Sequence, residues 1–236
     1  MILGISTSVF YKSDIDQFSH RAFDIIRKCS CNAVEISCID FRNIKRVEKL
    51  ELELLKGFKY KSLHAPGLNF EYRKNKETTD VLDKISQLYE KFKFDYIILH
   101  PDRVENWDVL EKYKHLPIAI ENMDSRKETG KSVEQLKPIF KKIDIKMLLD
   151  LLHCCSIDTS LNNVRKMYNE FKSRIIEFHI SGQGNKPGLH RPLYRNKQDE
   201  IINAIPEGNI PIIIESVVMK SEDIIKEVNY IRKKLA

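Results

Sequence analysis

Glu121, Asp150, His179 and Glu215 each close a short apolar run: Ile118-Ala119-Ile120-Glu121, Met147-Leu148-Leu149-Asp150, Ile175-Ile176-Glu177-Phe178-His179 and Ile212-Ile213-Ile214-Glu215. Three earlier runs finish in the same way, at Asn32-Ala33-Val34-Glu35-Ile36, Lys61-Ser62-Leu63-His64 and Tyr96-Ile97-Ile98-Leu99-His100. A buried strand rarely ends on an acid or an imidazole, because an unpaired charge or polar ring in apolar surroundings is costly. Seven such endings imply that the strand ends converge on one polar site, most economically a metal site. Carboxylates mixed with imidazole make an oxygen and nitrogen shell suited to Mn, Zn, Co, Fe or Mg. His153, three residues past Asp150, adds a second imidazole, and His64 and His100 add two more. His20 and His115 read as ordinary surface or core residues.

Converging ends require elements that bring them together. With the opening run Met1-Ile2-Leu3-Gly4-Ile5-Ser6 the chain has eight strand candidates, and most intervals between them carry helical periodicity. Phe18, Ala22, Ile25 and Ile26 form one stripe, with Asp14 and Asp16 as candidate N-terminal acids. Val81, Ile85, Leu88 and Phe92 form another, as do Val133, Leu136, Ile139 and Phe140, and Val164, Met167, Tyr168 and Phe171. Ser221 reads as an N-cap before Ile224, Ile225, Val228 and Ile231. The segment after the second strand is dense in charge and weakly periodic. Strand–helix alternation repeated eight times predicts an α/β fold, a (β/α)8 TIM barrel whose C-terminal strand ends form the active face. An open doubly wound sheet would want a glycine-rich turn after its first strand, and Gly4-Ile5-Ser6-Thr7-Ser8 lacks the GxGxxG spacing. No linker or low-complexity tract interrupts the 236 residues, which predicts a single domain over 1–236.

Composition narrows the class. Hydrophobic content of 42% and charged content of 31% are those of a globular protein. The formal charge of +6 comes from Lys and Arg spread along the chain, which supports only a weak preference for anionic ligands. No stretch is long and apolar enough for a membrane span, and the N-terminus has no basic region leading into an apolar core. The expectation is a cytoplasmic protein without a membrane partner. Five cysteines, an odd number, fit reduced thiols. Cys29-Ser30-Cys31 and Cys154-Cys155 lack the CxxC pairs of a structural zinc site.

The segments Leu63-His64-Ala65-Pro66, Leu99-His100-Pro101, Ile120-Glu121-Asn122-Met123, Leu149-Asp150-Leu151-Leu152-His153, Phe178-His179-Ile180-Ser181 and Ile214-Glu215-Ser216 form an ordered series. The series resembles that of the xylose isomerase-like TIM-barrel superfamily, which joins sugar and sugar-phosphate isomerases and epimerases with the endonuclease IV type of DNA repair enzyme. The resemblance covers nearly the whole chain. It implies that Glu121, Asp150, His179 and Glu215 ligate a divalent metal, with Glu121 and Glu215 also the acid/base pair of an isomerase or epimerase. His153 would bind a substrate hydroxyl or steer the proton. In the endonuclease branch His64, His100 and Glu121 hold a second metal, and His153 with an aspartate-x-histidine pair holds a third. His190 matches the histidine of that pair, whereas Gly188 stands at the aspartate position. Two metals about 4 Å apart suit phosphodiester hydrolysis, while one suffices for proton transfer.

The isomerase side is favoured by Leu3-Gly4-Ile5-Ser6-Thr7 and Ala33-Val34-Glu35-Ile36-Ser37, which resemble isomerases and epimerases. Gly67 follows His64-Ala65-Pro66, where a DNA-opening enzyme tends to place an aromatic wedge, and no basic stripe interleaved with aromatics is visible. The retained His64 and His100 stand against it. The expected function is a divalent-metal-dependent sugar or sugar-phosphate isomerase or epimerase. The alternative is an endonuclease IV-like phosphodiesterase acting on abasic DNA, with nucleic acid a partner only in that case. A binding-only descendant is disfavoured because Glu121 and Glu215 are both present. Gly182, Gly184 and Gly188 lie in one loop after the seventh strand, where Lys186 and Arg191 are candidate contacts for a sugar phosphate. Glu35 is a further candidate substrate contact, with His190, and Trp107 is either a sugar platform or core.

Overall fold

Each of the eight apolar runs becomes a strand. The computed structural model describes residues 1–235. The strands are β1 (Leu3–Ser6), β2 (Ala33–Ser37), β3 (Tyr60–His64), β4 (Tyr96–Leu99), β5 (Ile118–Glu121), β6 (Lys146–Asp150) and β7 (Ile175–Ile180). A two-stranded hairpin, β8 (Gly182–Gln183) with β9 (His190–Arg191), precedes the last barrel strand β10 (Ile212–Ile214). The eight barrel strands are parallel and close on themselves, β10 pairing with β7 on one side and with β1 on the other through Leu3↔Ile212. Closure removes the edges that an open sheet would have to protect.

Side chains alternate between the barrel interior and the helix-facing core. Gly4, Ala33, Tyr60, Ile98, Ala119, Leu148 and Ile213 take interior positions, in small clusters separate from the main core. Gly4 is required there: a Cβ would lie 2.5 Å from Ile213 Cδ1 and 2.6 Å from Ala33 Cβ. The period of two then carries Glu35, Ser62, His64, His100, Glu121, Asp150 and Glu215 to the same interior face, nearer the C-terminal mouth. β7 needs a correction to reach it. Met147 pairs with Ile175 but Leu148 with Glu177, so Ile176 is an extra residue, and this bulge brings Glu177 and His179 onto the interior face.

The helices are α1 (His20–Lys28), α2 (Ile44–Val47), α3 (Lys76–Phe92), α4 (Val133–Lys142), α5 (Leu151–Ile157), α6 (Asn162–Phe171), α7 (Leu193–Asn196), α8 (Asp199–Asn203) and α9 (Glu222–Leu235). The sequence stripes match their buried faces, as in α3 with Val81, Ile85, Leu88 and Phe92. α1 starts later than Asp14 and Asp16 suggested, because the Ser19 side chain accepts from Ala22 N and caps the helix there. Two intervals do not form full helices. After β2 the charged segment gives only 3-10 turns and the one-turn α2, and after β4 the chain runs through 3-10 turns at Pro101–Arg103 and Trp107–Tyr113. All five cysteines are buried and free. No helix among the described residues is long and apolar enough to cross a membrane.

Candidate active site

At the mouth, ligand atoms of Glu121, Asp150, His179 and Glu215 all lie within 4.8 Å of one another. Local structure fixes each of them. Asp150 ends β6 and caps α5: its Oδ1 accepts from His153 N at 2.7 Å, while Oδ2 is buried without a hydrogen bond. Asn122 clips β5 to β6, its Oδ1 accepting from Asp150 N at 2.7 Å and its Nδ2 donating to Asp150 O at 3.0 Å. His179 Nε2 donates to Glu177 Oε1 at 2.8 Å, with Glu35 Oε2 also 3.1 Å away. That bond turns Nδ1 toward the cluster, 3.2 Å from Glu215 Oε2 and without a hydrogen bond.

Glu121 is divided between two groups of side chains. Its Oε2 lies 3.1 Å from His64 Nε2 and 2.9 Å from His100 Nε2. Its Oε1 lies 3.3 Å from His153 Nδ1 and 3.7 Å from His179 Nδ1, and makes no hydrogen bond. His64 Nδ1 is within 3.2 Å of Ala65 O, which directs Nε2 inward. His153 Nδ1 donates to Asn122 O at 2.7 Å, which leaves Nε2 for another partner. His190 Nδ1 sits 3.0 Å from Ser181 Oγ and 3.6 Å from Glu215 Oε2.

Burial and mutual charge set the protonation of these groups. Burial alone would raise Glu121 and Glu215, but neighbouring imidazoles outweigh it, His153 chief for Glu121 and His179 for Glu215, and hold both carboxyls below the usual range. Asp150 moves the other way, pushed up by burial. Burial lowers His64, yet its bond to Glu121 and the charge of Glu35 prevail and bring it to about 9. His190 is pushed down to about 4 by burial and is a neutral ring at neutral pH. Three buried atoms without hydrogen bonds, Glu121 Oε1, Asp150 Oδ2 and His179 Nδ1, belong to the four-residue cluster. Buried polar groups are costly unless satisfied, so this donor set fits a divalent cation. His64, His100 and Glu121 form a second such set, sharing Glu121 with the first.

A cavity of about 630 Å³ opens over the cluster. Glu121, Glu215, His64, His100, His153 and His190 line it, while Asp150 and His179 are fully buried and do not. Glu35 is also fully buried, beside His179 inside the barrel and away from the cavity. Lys186 is exposed and does not line this cavity; Arg191 lines a separate cleft with Arg195, Asn196 and Gln198. Trp107 is half-buried against the main core. Sequence reasoning missed Glu177, Asn122 and Arg126. Glu177 was legible as the residue two before His179 on the same strand face; Asn122 and Arg126 carry no comparable spacing signal.

No family model matches the chain, and no curated protein matches it in sequence. Solved structures do. A probable 3-DHS dehydratase, AsbF from Bacillus anthracis, is 14% identical, with a TM-score of 0.69 over 98% of this chain and 99% of that one. A xylose isomerase domain containing protein from Salmonella typhimurium is 13% identical, with a TM-score of 0.66 over 99% and 97%. D-allulose 3-epimerase from Methylomonas sp., solved in complex with D-allulose, is 14% identical, with a TM-score of 0.65 over 99% and 97%. By its closed eight-stranded barrel and this end-to-end likeness, the chain has a (β/α)8 TIM-barrel fold shared with these structures.

Proposed function

We propose that the protein is a divalent-metal-dependent isomerase or epimerase acting on a sugar or sugar phosphate. One observation carries the reading: of the four clustered ligands, Glu121 and Glu215 reach the cavity while Asp150 and His179 are buried away from it. Asp150 and His179 therefore hold, and the two glutamates hold and react. When bound, a divalent cation supplies charge stabilisation to oxygens beside the carbon that loses its proton. Glu215, ionised at neutral pH, accepts that proton. Glu121 stands on another wall and is itself ionised, so the proton it returns to carbon is drawn from His64, which lies against its Oε2 and holds a proton at neutral pH. His153, its Nδ1–H committed to Asn122 O, offers Nε2 to a substrate hydroxyl. The D-allulose complex of a structural neighbour is consistent with a polyhydroxy substrate at this mouth.

The test is incubation of the metal-loaded protein with sugars and sugar phosphates in deuterated water. Solvent deuterium should appear at carbon, and Glu215→Gln should slow its entry by about 10²- to 10⁴-fold, the usual contribution of a general base. Unchanged exchange in that variant would remove Glu215 from its role. A second reading, endonuclease IV-like phosphodiester hydrolysis, is favoured by the division of Glu121 between two donor sets, an arrangement suited to a pair of cations. Cleavage of an abasic DNA duplex without proton exchange on any sugar would select it.

A further inference from the structure

One wall of the cavity, built by the loops after β4 and β5, carries Arg103, Arg126 and Lys127, with Arg103 also 3.7 Å from Glu71. Arg126 is the most firmly placed of the three. Asp124 accepts from its Nε at 2.9 Å, from its Nη2 at 2.7 Å and from its backbone N at 2.8 Å. On its other side the guanidinium lies against Gly188, in the loop that also carries His190. A Cβ at position 188 would be 1.8 Å from Arg126 Nη2 and 2.2 Å from its Cζ, and Gly188 has a φ of +69°, so glycine makes the seat possible in two ways. Nη1 makes no hydrogen bond to another described residue. Lys127 is tethered at 2.6 Å to Asp102, which also lies 3.4 Å from Arg103 Nε. Asp102 and Asp124 thus pin three cations at one wall of the cavity.

We propose that this wall binds the phosphate of a phosphate monoester substrate, with Arg126 its principal contact. The proposal rests on the reading that the cavity receives the substrate, and it makes that substrate a phosphorylated one. A planar guanidinium held on one edge by Asp124 presents its free nitrogen to a phosphate oxygen at a fixed position. A monoester, close to a dianion at neutral pH, presents more charge to Arg126 and Lys127 than a singly charged diester and is favoured over it. Lys186 and Arg191, on the loop and hairpin after β7, take no part in the cavity wall.

Calorimetric titration of the manganese-loaded full chain with inorganic phosphate tests the site directly. Arg126→Gln should weaken phosphate binding about 10- to 100-fold, the loss expected for a charge-assisted contact, with manganese per chain unchanged. Gly188→Ala keeps every charge but displaces the guanidinium, and should also weaken phosphate binding. Phenyl phosphate, a monoester, should bind more tightly than dimethyl phosphate. Phosphate affinity in Arg126→Gln within about twofold of the parent, at or below the scale of a single weak contact, would overturn the assignment. Equal or tighter binding of dimethyl phosphate would overturn the monoester. Phosphate binding lost in Arg126→Gln, but no deuterium exchange on any sugar phosphate, would support this site while sinking the isomerase reading.

Discussion

His179 meets the centre through one nitrogen because the other is spent. Nε2 faces two carboxylates, Glu177 at 2.8 Å and Glu35 at 3.1 Å, and both are fully buried. A carboxylate behind a ligating imidazole fixes its tautomer and strengthens it as a donor. Glu177→Gln should therefore lower metal affinity by about 10-fold, and Glu35→Gln with Glu177→Gln by about 100-fold, since either acid can serve the same N–H. Titration against a chelating indicator measures both; equal affinity in the double variant would contradict the arrangement. The same residues predict a pH dependence. With only the chain's own charges counted, His64, raised to about 9 by Glu121 and Glu35 against its burial, stabilises the fold fully below its unfolded pKa, and that contribution is lost as pH rises through about 9. Glu215, held low by His179 despite burial, contributes above the ordinary glutamate range and loses that contribution as the solution becomes acid. Metal must displace the proton of Asp150, whose carboxyl burial pushes up, and that of His179, which the surrounding carboxylates hold above the usual imidazole range against its burial. Uptake at pH 7 should release protons and strengthen between pH 6 and 9, read by calorimetry in buffers of different ionisation enthalpy. Buffer-independent heats would show that no proton is displaced.

At the scale of elements, the strand periodicity places the donors and the barrel axis leaves no slack beneath them. Gly4 has backbone and Cβ of Ala33 and the Ile213 side chain within 2.7 Å of where a Cβ would sit, and Ala33 cannot rotate away. Gly4→Ala should destabilise the fold by about 1–3 kcal/mol as overpacking does, measured by denaturant unfolding; a neutral change would mean that β1 and β2 can part. The eight strands were legible because apolar runs with polar ends are rare outside a functional barrel face. The bulge at Ile176 was not, since Ile175-Ile176-Glu177 reads equally well without an extra residue. The 3-10 turns after β4 were also hidden, since nothing in Trp107–Tyr113 separates a 3-10 turn from a short α-helix.

For the whole molecule, closure of the barrel turns residues scattered from Glu35 to Glu215 into one polar interior. The sequence singled out Glu121, Asp150, His179 and Glu215 because each lies at or within one residue of a strand end, and the barrel brings their ligand atoms within 4.8 Å of one another. The sequence could not separate Glu35, which the pleat sends below the mouth beside His179, from Glu121, which the same pleat leaves at the cavity. Nor could it find the cationic wall, because Arg126 meets Gly188 only through the fold. The claim on which all the chemistry depends is that Glu121, Asp150, His179 and Glu215 bind a divalent cation. Elemental analysis of the purified chain after dialysis against zinc or manganese measures it most directly. At least one tightly bound equivalent per chain is predicted, lost in Asp150→Asn while the fold is retained; a folded parent chain that takes up neither metal, or a variant that binds as well as the parent, would contradict it.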